Sequence, residues 1–214
     1  MGNDIVKIVH IERKRNKTFR LSVRYDTDAQ SPRDWDNLGI MACWDDRYNV
    51  PNETGLDIYN RFDGWQEFKQ HLEKECDAVF IHGIDLYAHS GVAYHLVKNP
   101  KLGEADGFSG CICGFIYITR KKFKDEYGVD FDEGNADHCQ KLTVNFKAEI
   151  DCYGQYANGE VYGWCVEQLD YNNGDWIPLD SCWGYYEQDE AENEGKDCLQ
   201  DHLKTKILVK EVAE

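Results

Sequence analysis

Two alternating runs joined by a tight turn constrain this fold more than any other feature. Glu160-Val-Tyr-Gly-Trp-Cys-Val-Glu-Gln-Leu-Asp170 alternates in polarity, Asn172-Asn-Gly174 is a strong turn signal, and Trp176-Ile-Pro-Leu-Asp-Ser-Cys-Trp-Gly-Tyr-Tyr186 returns. The pattern predicts an antiparallel hairpin. Pro178 has no N–H to give a ladder, so the returning strand should begin at a sheet edge or bulge there. Residues 18–26 also alternate, with Phe19, Leu21, Val23 and Tyr25 on one face and Arg20, Ser22 and Arg24 on the other. Residues 4–11 are β-branched and partly alternating, and Arg13-Lys-Arg-Asn-Lys17 reads as a basic hairpin loop between the two.

Further strands are expected at 38–44, at 78–97 (two strands around Ala88-His-Ser-Gly91) and at Gly110 to Thr119. The last is the most continuous apolar run and should be a central strand buried on both faces. Asp45, Asp46 and Arg47 open one loop, and residues 98–109 form another. Trp65, Phe68, Leu72 and Cys76 share a helix face, with Asp63 placed to cap it. Arg120 to Tyr127 reads as a short charged helix. Cys139, Leu142, Phe146, Ile150 and Tyr153 form a narrow helical stripe. The expected fold is α+β: one domain over residues 1–186, with a mostly antiparallel sheet of six to eight strands. About three helices, at 63–77, 138–156 and 198–212, should cover it. Residues 187–214 would be an acidic linker and a C-terminal helix packed on the same domain.

Forty acidic residues against twenty-four basic ones leave a net charge of −16 over 214 residues. That surplus disfavours a nucleic-acid backbone as partner, because phosphate binding needs cations. It suits either simple solubility or a surface that competes for basic sites on another protein. No apolar run is long enough to span a bilayer and the N-terminus lacks an apolar leader, so a cytoplasmic setting with no membrane contact is expected. The nine cysteines then read as reduced, mostly buried thiols. No Cys-x-x-Cys pair occurs, so no metal site is expected, and no Walker loop, dinucleotide fingerprint or His-Glu-x-x-His predicts a cofactor. Asp130, Asp132, Glu133, Asn135 and Asp137 resemble a calcium loop, but Lys141 stands where the twelfth-position glutamate belongs. An acidic helix N-terminus is the competing reading.

Ser31-Pro-Arg-Asp-Trp-Asp-Asn-Leu-Gly39 carries the densest recognition chemistry. Pro32 forces a turn, and Asp36 and Asn37 can bond nearby backbone. In one reading Trp35 stacks a ring while Arg33 and Asn37 bond a polar ligand; in the other Trp35 packs in the core and Arg33 pairs with an aspartate. His89 and Ser90 are adjacent on an extended chain and point apart, which argues against a base–nucleophile pair. Asp180, Trp183, Tyr185 and Tyr186, with Tyr162 and Trp164, are either cross-strand aromatic pairs or a stacking platform.

That turn, Leu86-Tyr-Ala-His-Ser-Gly91, Gly114-Phe-Ile-Tyr-Ile, Gly159-Glu-Val-Tyr-Gly163 and Asp180-Ser-Cys-Trp-Gly-Tyr-Tyr186 together resemble a family of small proteins carried by bacteriophages and plasmids, over roughly residues 20–186. The family has no assigned activity. The resemblance implies an accessory gene of a mobile element, and such genes often blunt host defence. The expectation is therefore a non-enzymatic protein that binds and inhibits a host protein with a basic surface, by nucleic-acid mimicry, without binding nucleic acid itself. A homodimer is compatible with it. Glu187, Asp189, Glu190, Glu192 and Glu194, together with Asp130, Asp132 and Glu133, would address that partner. The alternative is a nucleotide- or small-ligand-binding protein, sequestering or hydrolytic. Its pocket would gather Arg33, Trp35, Asp36, Asn37, Tyr87, His89, Ser90 and Trp183.

Overall fold

A computed structural model describes residues 4–14, 17–44, 50–88, 91–97 and 111–211. His89 and Ser90, the Asp45 to Arg47 segment, the 98–109 loop and part of the Arg13–Lys17 loop lie outside the described residues. The chain begins with β1 (Ile5–Lys14), β2 (Lys17–Tyr25), a 3-10 turn at Pro32–Asp34 and β3 (Ile40–Cys43). Next come α1 (Ile58–Arg61), α2 (Trp65–Glu75), β4 (Ala78–Ala88), β5 (Val92–Val97) and β6 (Cys111–Thr119). It ends with α3 (Arg120–Tyr127), α4 (Ala136–Ala157), β7 (Tyr162–Leu169), β8 (Trp176–Tyr185) and α5 (Gln188–Glu211). The fold is α+β, and the eight strands among the described residues form two antiparallel four-stranded sheets, ordered β1-β2-β7-β8 and β3-β6-β4-β5. The chain divides into two compact units, Met1–Gln30 with Gln155–Glu214, and Ser31–Gly154.

In the first unit, alternation does what the sequence pattern requires. Phe19, Leu21 and Val23 of β2 and Trp164 and Val166 of β7 turn to one face and form a core with Ala191, Leu199 and Leu203 of α5. Gly195 completes that four-residue stripe, because a Cβ there would lie 3.0 Å from Trp164 Cβ. The stripe explains why the acidic segment 188–197 is helix and not linker: packing against the sheet outweighs the repulsion of its carboxylates. The β7–β8 hairpin closes with Asp170 N–H donating to Asp175 O and Gly174 at φ 81°. β8 is an edge strand, and its register shifts beside Pro178, so both outcomes open to that proline occur. Two register shifts in β1 place Ile5, Ile8 and Ile11 opposite Arg24, Ser22 and Arg20, which gives an apparent period of three on one face.

The face opposite α5 holds a buried ion cluster. Glu167, 3% exposed, accepts from Arg20 Nε at 2.6 Å and pairs with Arg24 Nη2 at 2.7 Å. Arg20 also lies over the Trp176 ring at 4.3 Å. Burial works to raise the Glu167 pKa, but hydrogen bonds from Arg20 and Arg24 outweigh it and hold the carboxyl below its ordinary value.

In the second unit β6 lies between β3 and β4, and Cys113, Phe115, Ile116, Tyr117 and Ile118 are all buried, as expected of a central strand. Phe68 and Leu72 of α2 cover one face against Phe115 and Tyr117. On α4, Phe146 meets Phe80 and Tyr153 meets Tyr94 on the other. α2 is capped by Gly64 and not by Asp63, whose N–H instead donates to Glu67 at 2.6 Å. Gly64 at φ 115° lets the chain turn in one residue later than the capping pattern suggested. Gly114 sits where β3 presses on β6; a Cβ there would meet Cys43 Cα at 2.7 Å and Ala42 O at 2.8 Å. Among the described residues no helix is long and apolar enough to cross a membrane. The eight cysteines with described side chains are free thiols.

Two outcomes follow from this packing. Gly114→Ala should destabilise the chain by about 1–3 kcal/mol in urea unfolding, because backbone atoms must move to admit the methyl group. Glu167 has a depressed folded-state pKa, so its stabilisation is present above the unfolded value and is lost as pH falls through the folded one. Glu167→Gln should cost about 3 kcal/mol near pH 7 and flatten the stability profile below about pH 5. Denaturant melts across that range read both effects, and an unchanged profile would contradict the assignment.

Candidate functional site

The turn that the sequence singled out is built around Arg33. Ser31 Oγ accepts from Arg33 N–H at 3.2 Å and starts the 3-10 turn. Asn37 Nδ2 closes it by donating to Pro32 O at 2.8 Å and Trp35 O at 3.0 Å. The Arg33 guanidinium then reaches inward. Nε and Nη2 donate to the two oxygens of Glu53 at 2.5 and 3.1 Å. Nη1 donates to Glu149 of α4 at 2.8 Å, and Nη2 also reaches Gly39 O at 2.7 Å. Both carboxylates carry further work: Glu149 accepts from Leu38 and Gly39 N–H, and Glu53 from Met41 N–H.

The Arg33 side chain is 6% exposed. Burial opposes its charge, but hydrogen bonds with Glu53 and Glu149 outweigh that and raise its pKa. The planar fork is fully directed at its own chain, which is what a bidentate arginine does best. Where the ligand-binding expectation had Arg33 and Asn37 facing a ligand, the guanidinium and the Asn37 Nδ2 bond groups of their own chain. The pairing expectation was right in kind but not in partner: two glutamates, 20 and 116 residues away, replace an aspartate. Trp35 is 51% exposed, so the expected core packing of its ring does not occur. Asp36 is exposed beside it, and the Asn37 carbonyl accepts from Lys122 of α3. Tyr87 lies on β4 of the same unit, whereas Trp183 lies on β8 of the other.

Sequence reasoning missed a cleft of about 560 Å³ in the second unit. Phe80 and His82 of β4 line it with Phe131, and the His82 ring lies 4.7 Å from that of Phe80. Lys69–Glu73 and Arg120–Asp77 ion pairs, at 3.2 and 3.3 Å, also line it. A histidine inside the apolar run of β4 was the signal; the charges come from α2 and α3, which no local pattern connects to it.

The two acidic segments differ. Around 125–137, Asp130 pairs with Lys124 at 2.9 Å, Asp137 with Lys141 at 2.8 Å and Asp125 with Lys121. Asp132 Oδ1 accepts from Gly134 N–H, and Glu133 is exposed. Three of the six acids in that segment are therefore ion-paired, Asp130 among them, in exposed pairs. On α5, Glu192 is also spoken for, bonded to Lys7 and Lys196 at 2.7 Å each; hydrogen bonds from Lys196 and then Lys7 lower its pKa. Asp189, Glu190, Glu194 and Asp197 are exposed and make no salt bridge among the described residues. Glu187 is exposed at the start of the helix, where its carbonyl accepts from Glu190 and Ala191 N–H.

Comparison of the chain with protein-family models, with curated protein sequences and with solved structures gave no match.

Removing the Arg33 fork leaves two inward carboxylates without their cation. Arg33→Ala should cost about 3–5 kcal/mol in equilibrium unfolding. Arg33→Lys, which keeps the charge and loses the fork, should cost about 1–3 kcal/mol. A ligand-binding arginine with no structural role would leave both melts unchanged.

Proposed function

We propose that this protein acts by binding, and that it offers the outer flank of α5 to a basic surface on another protein. The observation that carries the proposal is a single stripe of carboxylates. Glu190, Glu194 and Asp197 recur at intervals of four and three residues, so they share one side of the helix and step about 5–6 Å along its axis. Between residues 188 and 204 the helix carries six acidic residues and two lysines. Three cations of the first unit are directed elsewhere, Arg20 and Arg24 to Glu167 and Lys7 to Glu192, while Lys204 pairs with Asp201 one turn further along the helix.

Carboxylates held on a packed helix need no reordering at the encounter, and such a stripe favours fast association with a site shaped for phosphates. The resemblance to phage and plasmid accessory proteins supports a host defence protein as the target and the host cytoplasm as the place. A ligand pocket at the Trp35 turn is the weaker reading, because its arginine is committed to Glu53 and Glu149.

Capture of partners from bacterial lysate, followed by titration of the purified pair, tests the proposal. Affinity should fall steeply with salt. The triple variant Glu190→Gln, Glu194→Gln, Asp197→Asn should bind about threefold to a hundredfold more weakly, since exposed charges contribute a few tenths to one kcal/mol each. Binding that ignores both salt and these substitutions would refute the proposal.

A further inference from the structure

On the sheet-facing side of α5, three metal-ligating side chains from two elements converge. Cys198 and His202 stand four residues apart, on one face of the helix. Their neighbours Leu199 and Leu203 are buried against β2 and β7, which fixes that face over the sheet. Asp180 projects from β8 to meet them. Its Oδ2 lies 3.5 Å from Cys198 Sγ and 3.6 Å from His202 Nε2, and all three ligand atoms lie within 4.8 Å of one another. The other carboxylate oxygen, Oδ1, accepts from Ser181 N–H at 2.9 Å, so the carboxylate is oriented with Oδ2 toward the pair.

We propose that Asp180, Cys198 and His202 form a zinc-binding site with its fourth position open to water. The distances favour it. Zinc bonds to sulfur at about 2.3 Å and to nitrogen or oxygen at about 2.0 Å, and tetrahedral angles then set the ligand atoms about 3.3–3.5 Å apart. Both separations from Asp180 Oδ2 are close to such edges. The donor set selects the metal: one thiolate, one imidazole and one carboxylate suit zinc, whereas calcium requires six or more oxygens. α5 is held by core packing and Asp180 by the β7–β8 ladder opposite Val166, so little ordering is left for the ion to impose. Asp180 is half exposed, which leaves a way in and room for a water ligand.

Burial, followed by the nearby Asp180, Asp201 and Glu194 charges, pushes the Cys198 thiol up to about 11, so without metal it is a protonated donor to Asp180. A divalent cation reverses that balance and makes the thiolate the stable form. The ion would also join α5 to β8 and hold in place the helix whose outer flank carries the carboxylate stripe. The site was not legible from the sequence because its ligands follow no Cys-x-x-Cys pattern; the i, i+4 pair lies 18 residues beyond its third member.

Zinc added alone to the full, metal-stripped chain tests the site through competition with a chromophoric chelator. One equivalent per chain should bind. Cobalt in its place should give the near-ultraviolet thiolate charge-transfer band of a cysteine-bound ion. Cys198→Ser should abolish that band, and Cys198→Ser and His202→Gln should each weaken zinc at least about 100-fold, beyond the loss typical of outer-shell changes. Asp180→Asn, an exposed and mild change, should weaken it about 10–100-fold, and the Cys76→Ser control should leave it intact. Circular dichroism identifies any variant that fails to fold, and the remaining two substitutions then decide the outcome. No saturable uptake, or uptake that survives the substitutions because zinc sits on other thiols, overturns the proposal.

Discussion

The Arg33 fork is the interaction on which the second unit depends. It ties a 3-10 turn, the backbone that leads into β3, the Glu53 segment and α4 to one cation. Both carboxylates it touches also accept backbone N–H groups, so the node satisfies donors at Leu38, Gly39 and Met41. Buried ion clusters are weak evidence for net stability, since apolar substitutes often do as well. Their value lies in geometry: only one placement of the turn satisfies two carboxylates and a carbonyl from a single planar group. Trp35 can stay exposed because the turn does not need its ring for anchorage.

The first unit uses the same chemistry in another way. Its basic strand pair and acidic helix would attract each other indiscriminately if charge alone ruled. Instead Glu167 takes Arg20 and Arg24 on one face of the sheet, while α5 packs on the other through Ala191, Gly195, Leu199 and Leu203. Opposite charges are thereby spent within the sheet, and the outer flank of the helix keeps its surplus. The same packing turns Cys198 and His202 toward Asp180. One apolar stripe thus sets both the exposed and the sheet-facing chemistry of α5.

Much of the fold was legible. The alternation in residues 18–26, the turn signal at 172–174 and the stripe from Cys139 to Tyr153 each report a local period, and each became the element it indicated. β1 was harder to read, because its two register shifts break the period of two. The acidic stretch before Cys198 was harder still: its charge argued for a linker, and only contact with β2 and β7 shows why Ala191 and Gly195 are small. The candidate sites were the least legible. Arg33 advertised recognition chemistry but serves the turn, and the Phe80–His82 cleft joins charges from the helix just before β4 to Arg120, some forty residues on.

By itself, then, the amino-acid order determined the strands and helices, the faces they bury and the excess of negative charge. Those are short-range properties, set by side-chain periodicity and turn chemistry within a few residues. Only the tertiary structure decided which charges cancel and which remain. Glu149 lies 116 residues from Arg33, and Glu167 lies 147 from Arg20. Pairings at that range depend on the order of strands in each sheet, which no local pattern carries.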